Sequence, residues 1–290
     1  MVAALPMAQA HCVKVTTIVV PLNGSPDGER AVPVARALVE QLAIRAGASI
    51  LLLLALDGPD EPAARDDAQR YLDAVAGTLR PLAVQCEIQV GNPADAIVSC
   101  LERTPGAILC MSTHGRVGPM AAVLGNVAEA VLHQIHVRAV MVGPSCEPVE
   151  PTPGAPIVLC YDATDDAESI GPLAVELACL LAAPIDVAMV LHRDGTFVGD
   201  HDATAPRRKA QAFTDRLALS GVEVRLRLLD GLDPARVIAG HCRAVGSPLA
   251  LAACHERTPL AARVLGHVFT RIAHHSPCPL LVVPPNQADG

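Results

Sequence analysis

The chain has 290 residues, a length that favours two ordinary domains and allows one large one, and 51% of them are hydrophobic. Aromatic residues contribute only 2% and tryptophan is absent, so we expect an aliphatic core and exclude a disordered chain. The net charge of −8 argues against a nucleic-acid-binding protein, because binding to a phosphate backbone requires clustered cations.

The hydropathy pattern and the N-terminal residues predict a cytoplasmic protein without a membrane segment. No apolar run approaches the ~18 residues of a membrane span. The sequence begins with MVAALPMAQA, which lacks the basic residues of a secretory signal and is interrupted by Pro6. We therefore expect a disordered N-terminus rather than a cleaved leader.

The ten cysteines run from Cys12 to Cys278 without a C-x-x-C pair, and the eleven histidines show no zinc-type spacing. This pattern predicts reduced, mostly buried thiols and no metal site. His274 and His275 lie close to Cys278 in the sequence, which is a weak hint of a metal; a helix end with an ordinary neighbouring thiol is the favoured explanation.

In the first half of the chain, apolar runs alternate with segments of helical spacing. The runs are nearly continuous in Val, Leu and Ile, and they predict strands at 15–22, 49–56, 83–90, 107–112 and 138–143. Helices are predicted at 27–46, 65–80, 93–104 and 125–135, with Ser25-Pro26 and Asn92-Pro93 as helix starts. The alternation indicates an α/β fold with a parallel sheet and helices on both faces.

The second half of the chain repeats the first. TTIVVPLNGSPDGERAVPVARAL from Thr16 is similar to APIVLCYDATDDAESIGPLAVEL from Ala155, and corresponding positions lie about 140 residues apart. Strands are predicted near 156–161, 185–191, 222–228, 248–253 and 279–283. The proline-rich joint GPSCEPVEPTPGAP predicts a stiff linker between two domains, 1–148 (copy one) and 149–290 (copy two).

Copy one carries three short motifs at strand ends: VPLNGS from Val20, GNPADAI from Gly91, and STHGRVGPMAAVLGN from Ser112 to Asn126. Small residues between a strand and a helix bring backbone amides up to a phosphate. The third motif is therefore a candidate phosphate loop.

Together these motifs resemble the universal stress protein family in its tandem two-domain form. Family members carry V-D-G-S after the first strand, G-x-P-A before a helix, and G-x2-G-x9-G-[S/T] after the fourth strand. In this chain the last frame is Ser112-x2-Gly115-x9-Gly125-Asn126, with both spacings intact. A common family sequence at this loop, M-G-T-H-G-R-x-G, corresponds to MSTHGRVG in this chain.

The resemblance implies two flavodoxin-like (adenine nucleotide alpha hydrolase-like) domains, each with a five-stranded parallel sheet of order 3-2-1-4-5. Nucleotide-binding members hold ATP outside the carboxyl ends of strands 1 and 4, where the strand order reverses. Transferred to matching positions, this predicts an adenine nucleotide site, with or without Mg²⁺, in copy one. Its residues would be Pro21, Asn23, Ala55, Ser112, His114, Gly115, Arg116, Gly125 and Asn126.

Three positions of copy one depart from the family pattern. Ser112 replaces Gly, Asn126 replaces Ser or Thr, and Asn23 replaces Asp. Loss of the charge-assisted bond from the carboxylate to a ribose hydroxyl costs roughly 1.5–3 kcal/mol, part of which an asparagine replaces. The two glycines can also be explained without a ligand: Gly115 would then be needed for a turn, and Gly125 for close packing of a helix on the sheet.

In copy two the same frame is Ala253-x2-Glu256-x9-Gly266-His267. Two glycine positions are lost, and Glu256 places a carboxylate where a phosphate would lie. A like charge desolvated beside a polyphosphate costs several kcal/mol, so we expect no triphosphate in copy two.

The sequence favours a stress-response regulator that binds a nucleotide, and leaves a nucleotide-free interaction or structural protein as the alternative. The chain has two lysines, Lys14 and Lys209, and no Walker-type motif, so an enzyme is not expected, apart from slow incidental ATP hydrolysis. The apolar last strands, VRAVMVGP and PLLVVPP, are predicted to pair between the two copies. A homodimer and an unidentified protein partner are compatible with this arrangement.

Overall fold

The computed structural model describes residues 15–113, 125–147, 153–191, 204–253 and 268–284, without the side chains of 41–46. The predicted disordered N-terminus and most of the loop from Ser112 to Asn126 lie outside this part of the chain. Among the described residues, no helix has the length and hydropathy needed to cross a membrane.

Copy one alternates strands and helices as the hydrophobic pattern predicts. Its strands are β1 (Thr17–Leu22), β2 (Ser49–Leu56), β3 (Val84–Val90), β4 (Ala107–Ser112) and β5 (Ala139–Val142). Its helices are α1 (Pro26–Glu29), α2 (Ala31–Ala46), α3 (Pro62–Thr78), α4 (Pro93–Arg103) and α5 (Asn126–Leu132).

Copy two repeats this order. Its strands are β6 (Ile157–Cys160), β7 (Ile185–Leu191), β8 (Val224–Asp230), β9 (Ala250–Ala253) and β10 (Leu280–Val283). Its helices are α6 (Asp165–Ser169), α7 (Gly171–Leu181), α8 (Thr204–Ala218), α9 (Pro234–Val245) and α10, described over 268–275.

The predicted first helix of copy one, 27–46, is divided in the structure at Arg30 into α1 and α2. Pro33 explains the division, because it lacks the N–H that would bond to Glu29 and its ring crowds that carbonyl. Copy two divides at Ile170, and Pro172 stands in the same relation to Glu168. The predicted strand 222–228 lies two residues further on, since its pairing with β7 runs from Ile185↔Val224 to Leu191↔Asp230.

All ten strands form one sheet of order β3-β2-β1-β4-β5-β10-β9-β6-β7-β8. The strands are parallel within each copy, and each copy has the predicted order 3-2-1-4-5. The predicted pairing of the last strands is confirmed. β5 and β10 run antiparallel, with Met141 opposite Leu280 and Ala139 opposite Val282. We call this pair the seam.

Each face of the sheet has one hydrophobic core that continues across the seam. One core joins α2 and α3 to α7 and α8, and includes Ile18, Leu72 and Phe213. The other joins α4 and α5 to α9 and α10, and includes Ile97 and Ile238. The two copies therefore share both cores.

Copy one contacts α10 of copy two through Gly143, the residue that follows β5. A Cβ atom at Gly143 would lie 1.8 Å from the carbonyl oxygen of Ala273, so only glycine fits. Nearby, Arg30 Nη2 donates to the carbonyls of Pro144 and Cys146 at 2.8 and 2.7 Å. The segment that follows β5 thus contacts Arg30 of copy one and Ala273 of copy two.

We predict that Gly143→Ala destabilises the whole chain by about 3 kcal/mol, because the added Cβ must displace the backbone of α10. The midpoint of urea unfolding measures the effect. Gly77→Ala is the matched control, since a Cβ at Gly77 in α3 meets no atom within 4 Å. That change should raise stability by about 0.5–1 kcal/mol. An unchanged midpoint for Gly143→Ala would contradict the contact at the seam.

Candidate functional site

The candidate site lies at the carboxyl ends of β1, β2 and β4. β1 is paired in parallel with β2 on one side and β4 on the other, from Thr17↔Ser49 and Thr17↔Ala107 onward. The chain order of the strands reverses between β1 and β4, so the loops that follow them diverge to opposite faces. This crevice is where open α/β sheets bind their ligands.

Asn23 is held by the loop that follows β1. Its Oδ1 accepts hydrogen bonds from the backbone N–H of Ser25 at 3.1 Å and from the Ser25 hydroxyl at 2.7 Å. Ser25 Oγ in turn accepts from Gly28 N at 3.1 Å and caps α1. A Cβ at Gly28 would lie 2.5 Å from Asn23 Oδ1, which explains the glycine. The side-chain amide oxygen of Asn23 thus orders the loop.

Copy two builds the same turn with aspartate. Asp162 Oδ1 accepts from the backbone N–H of Thr164 at 3.1 Å and from its hydroxyl at 2.6 Å. Thr164 Oγ1 then accepts from Ala167 N and caps α6. Asn in copy one and Asp in copy two therefore make the same pair of hydrogen bonds, and the two turns differ in charge.

The two ends of the predicted phosphate loop meet at Thr113 and Gly125. Gly125 N donates to the carbonyl oxygen of Thr113 at 2.9 Å, and Thr113 N donates to Val142 O at 3.0 Å. A Cβ at Gly125 would lie 3.1 Å from that same Thr113 oxygen. Gly125 has φ −61°, so close packing, and not a left-handed conformation, accounts for the glycine.

The structure brings six of the nine predicted site residues to this edge of the sheet. Pairing of Pro21 with Leu53 and of Leu22 with Leu54, continued by one residue, places Ala55 beside Asn23. Ser112 is the last residue of β4, and Asn126 begins α5. The six are Pro21, Asn23, Ala55, Ser112, Gly125 and Asn126, all at least partly accessible to solvent. His114, Gly115 and Arg116 lie outside the described residues.

In copy two an aromatic stack lies at the corresponding edge. Tyr161, directly after β6, is buried and stacks on Phe213 of α8 with ring centroids 4.9 Å apart. Its hydroxyl donates to Glu168 Oε1 at 3.0 Å, and burial together with this carboxylate raises the pKa of Tyr161. In copy one the corresponding residue is Leu22, the last residue of β1. The phenol that reaches the equivalent Glu29 comes from Tyr71 of α3.

Lys209 also reaches the edge of copy two, which the sequence does not reveal. Its Nζ donates to the carbonyl oxygen of Ala163 and to Asp165 Oδ1, each at 2.9 Å. The preceding Arg207 and Arg208 are exposed at the start of α8. Ala253 ends β9 in copy two, whereas Glu256, Gly266 and His267 lie outside the described residues.

A second polar cluster, also missed by the sequence analysis, lies at the opposite edge of copy two. Asp186, at the start of β7, is fully buried, and its Oδ2 accepts from Arg227 Nε at 3.0 Å. His241 Nε2 of α9 lies 2.9 Å from the same oxygen. An aspartate within the apolar run IDVAMVL is the sequence signal that could have indicated it. The cluster joins β7, β8 and α9 and is remote from the nucleotide-site edge.

The eight cysteines that the structure describes are free thiols, five of them buried. Burial raises the pKa of Cys146 and of Cys160 to about 12, which keeps both thiols protonated and unreactive near neutral pH. The rings of His274 and His275 contact each other edge to face, with their centroids 4.9 Å apart. Within the described ranges, no group of three or more His, Cys, Asp or Glu side chains is placed to hold a metal ion.

Two solved structures share this architecture over nearly the whole chain. A universal stress protein from Archaeoglobus fulgidus DSM 4304 superposes with a TM-score of 0.74 at 17% identity, covering 96% of this chain and 99% of that chain. A protein of Pseudomonas aeruginosa PAO1, described as functionally unknown, superposes with a TM-score of 0.64 at 15% identity, covering 94% of each chain. At these identities the likeness shows the fold alone.

A single-domain match is more distant. A universal stress protein in complex with cAMP is 22% identical over 44% of this chain and 97% of that chain, with a TM-score of 0.36. A TM-score this low carries no argument about a site in this chain. Comparison with curated protein sequences finds no match.

The family model described as the universal stress protein family matches the chain twice, at residues 14–143 and 155–284. These two matches cover most of the sequence, one in each copy. The order of five parallel strands in each copy and the motifs at the carboxyl ends of β1 and β4 agree with them. The chain belongs to the universal stress protein family, as a tandem of two flavodoxin-like domains joined in one sheet.

Proposed function

We propose that the protein is a stress-response regulator in which copy one binds an adenine nucleotide, ATP being the expected ligand. The observation that carries this proposal is the closure of the loop between β4 and α5 by the hydrogen bond from Gly125 N to Thr113 O. The closed loop keeps the family spacing and starts beside β1, at the reversal of strand order. Its occupancy would bias an interaction with a protein partner.

Copy two is proposed not to bind a triphosphate. Its frame contains Glu256 in place of glycine, and a carboxylate there repels phosphate. At the edge of copy two, Tyr161 stacks on Phe213 and Lys209 is paired with Asp165. Copy one has no counterpart of the Tyr161–Phe213 stack, because Leu22 stands at the corresponding position.

The alternative is a nucleotide-free interaction or structural protein, and two contacts favour it. Asn23 Oδ1 already accepts two hydrogen bonds from Ser25, and the glycine at 125 is explained by its packing on Thr113. Both features would be retained by a domain that no longer binds a ligand. The two proposals differ in one measurable property, the affinity of copy one for ATP.

We do not propose catalysis as the main role. Of the two lysines in the chain, the structure describes Lys209. Its ammonium contacts Asp165 in copy two and not copy one. Any Mg²⁺ would enter with the nucleotide, since Mg²⁺ keeps several waters and is held mainly by substrate phosphates. The free thiols fit a reducing compartment such as the cytoplasm.

Asn126→Asp is predicted to weaken ATP binding at least tenfold, about 1.4 kcal/mol, because it places a carboxylate where the phosphates would lie. Residue 126 is the first of α5, where an acidic side chain stabilises a helix, so lost binding would not reflect unfolding. Isothermal titration calorimetry with ATP measures the affinity, and urea unfolding checks the stability.

The control for this prediction is His267→Asp, which introduces the same carboxylate at the matching position of copy two. It should leave ATP binding unchanged. Loss of binding in His267→Asp alone would assign the site to copy two and overturn the proposal. Absence of ATP binding by the wild-type protein at millimolar ATP would favour the nucleotide-free protein.

Asn23→Asp is predicted to tighten ATP binding by about tenfold, because a carboxylate accepts a hydrogen bond from a ribose hydroxyl more strongly than an amide does. The turn should be preserved, since Asp162 makes the same two bonds in copy two. The reverse exchange, Asp162→Asn, is the control and should not change ATP binding. Equal affinities of Asn23→Asp and the wild type would show that residue 23 does not contact the nucleotide.

A further inference from the structure

A cavity of about 220 Å³ lies over the seam, between α2 of copy one and α7 of copy two. Val34 and Leu38 form its wall on α2, and Leu173 and Leu177 form its wall on α7. Ile108 of β4 and Leu281 of the seam strand β10 line its floor. Both copies are therefore needed to form the cavity.

The position of this cavity separates it from the candidate nucleotide site. Ile18, Ile108 and Leu249 line it from early positions of β1 and β4 and from the residue before β9, whereas the nucleotide site lies at the opposite, carboxyl ends of the strands. A ligand in the cavity would not contact Asn23 or Gly125.

The cavity wall also carries three charged side chains, Arg138, Glu147 and Glu176. Arg138 directly precedes β5 and is partly buried, and this burial lowers its pKa, an effect that the negative charge of Glu176 opposes. Glu176 acts on Arg138 as a charge, and no hydrogen bond to a described side chain contributes to the pKa of Arg138. Its guanidinium N–H groups therefore remain available to an oxygen acceptor.

The charge balance of the wall selects the kind of ligand. An anionic head group would gain from Arg138 but would be repelled by both Glu147 and Glu176. A cationic head group would gain from the two carboxylates but would be repelled by Arg138. A neutral oxygen, such as a hydroxyl or a carbonyl, accepts from Arg138 without either penalty.

The size of the cavity limits the ligand further. An apolar cavity of about 150 Å³ stays dry and binds benzene, so one of about 220 Å³ holds roughly nine non-hydrogen atoms. We propose that the seam cavity binds one neutral, mainly aliphatic molecule of this size with a single oxygen head, such as a medium-chain alcohol. Its chain would lie between α2 and α7, with its oxygen near Arg138.

Calorimetric titration of the full chain with 1-octanol tests the proposal. One molecule should bind per chain, because the chain has one seam. Ala37→Phe should weaken the binding at least tenfold, since Ala37 is an exposed residue of α2 that lines the cavity and the added ring has the size of benzene. The matched control is Ala74→Phe, at an exposed position of α3 outside the cavity wall, which should bind octanol like the wild type.

Octanoate, with the same chain length and an anionic head, should bind about tenfold more weakly than octanol near neutral pH. Tighter binding of octanoate would overturn the neutral head group. Two outcomes would overturn the cavity site itself: no binding of octanol up to its solubility limit, or equal affinity of Ala37→Phe and the wild type. Neither outcome alters the ATP titrations, so failure here is distinguishable from failure of the proposed function.

Discussion

The antiparallel pairing of β5 with β10 is the interaction on which the rest of the structure depends. An apolar strand end such as AVMV or LLVV would be an exposed sheet edge in an isolated copy, and here each covers the other. The pairing makes one ten-stranded sheet and allows the cores on both faces to cross the seam. Gly143 is required because this pairing brings the chain against the carbonyl oxygen of Ala273.

The seam relates two carboxyl-terminal edges that have the same backbone and different chemistry. Asn23 and Asp162 make the same pair of hydrogen bonds to the residue two places ahead, so the turn is preserved while its charge changes. Leu22 in copy one is replaced by Tyr161 in copy two, and this exchange adds a buried aromatic stack. The fold thus remains symmetric while the side chains at the two edges differ.

The seam also creates a surface that neither copy has alone. Pairing through the last strands places α2 and α7 on the same face, one on each side of β5 and β10, and the space between them is the seam cavity. Arg138 and Glu176, which come from different copies, face it together. A tandem chain therefore gains a candidate binding site from the way in which its two domains are joined.

The sequence by itself determined the repeat and the alternation of strands with helices, because hydrophobic periodicity is a local signal. The strand order of each copy and the pairing of the last strands were implied by the resemblance of its motifs to the universal stress protein family. The sequence analysis did not predict the helix breaks at Arg30 and Ile170, although Pro33 and Pro172 carry that signal. Only the tertiary structure revealed the partners of Asp186, the stack on Tyr161 and the seam cavity. These contacts join residues distant in the chain, such as Asp186 and Arg227, and distant contacts leave no periodic trace in a single sequence.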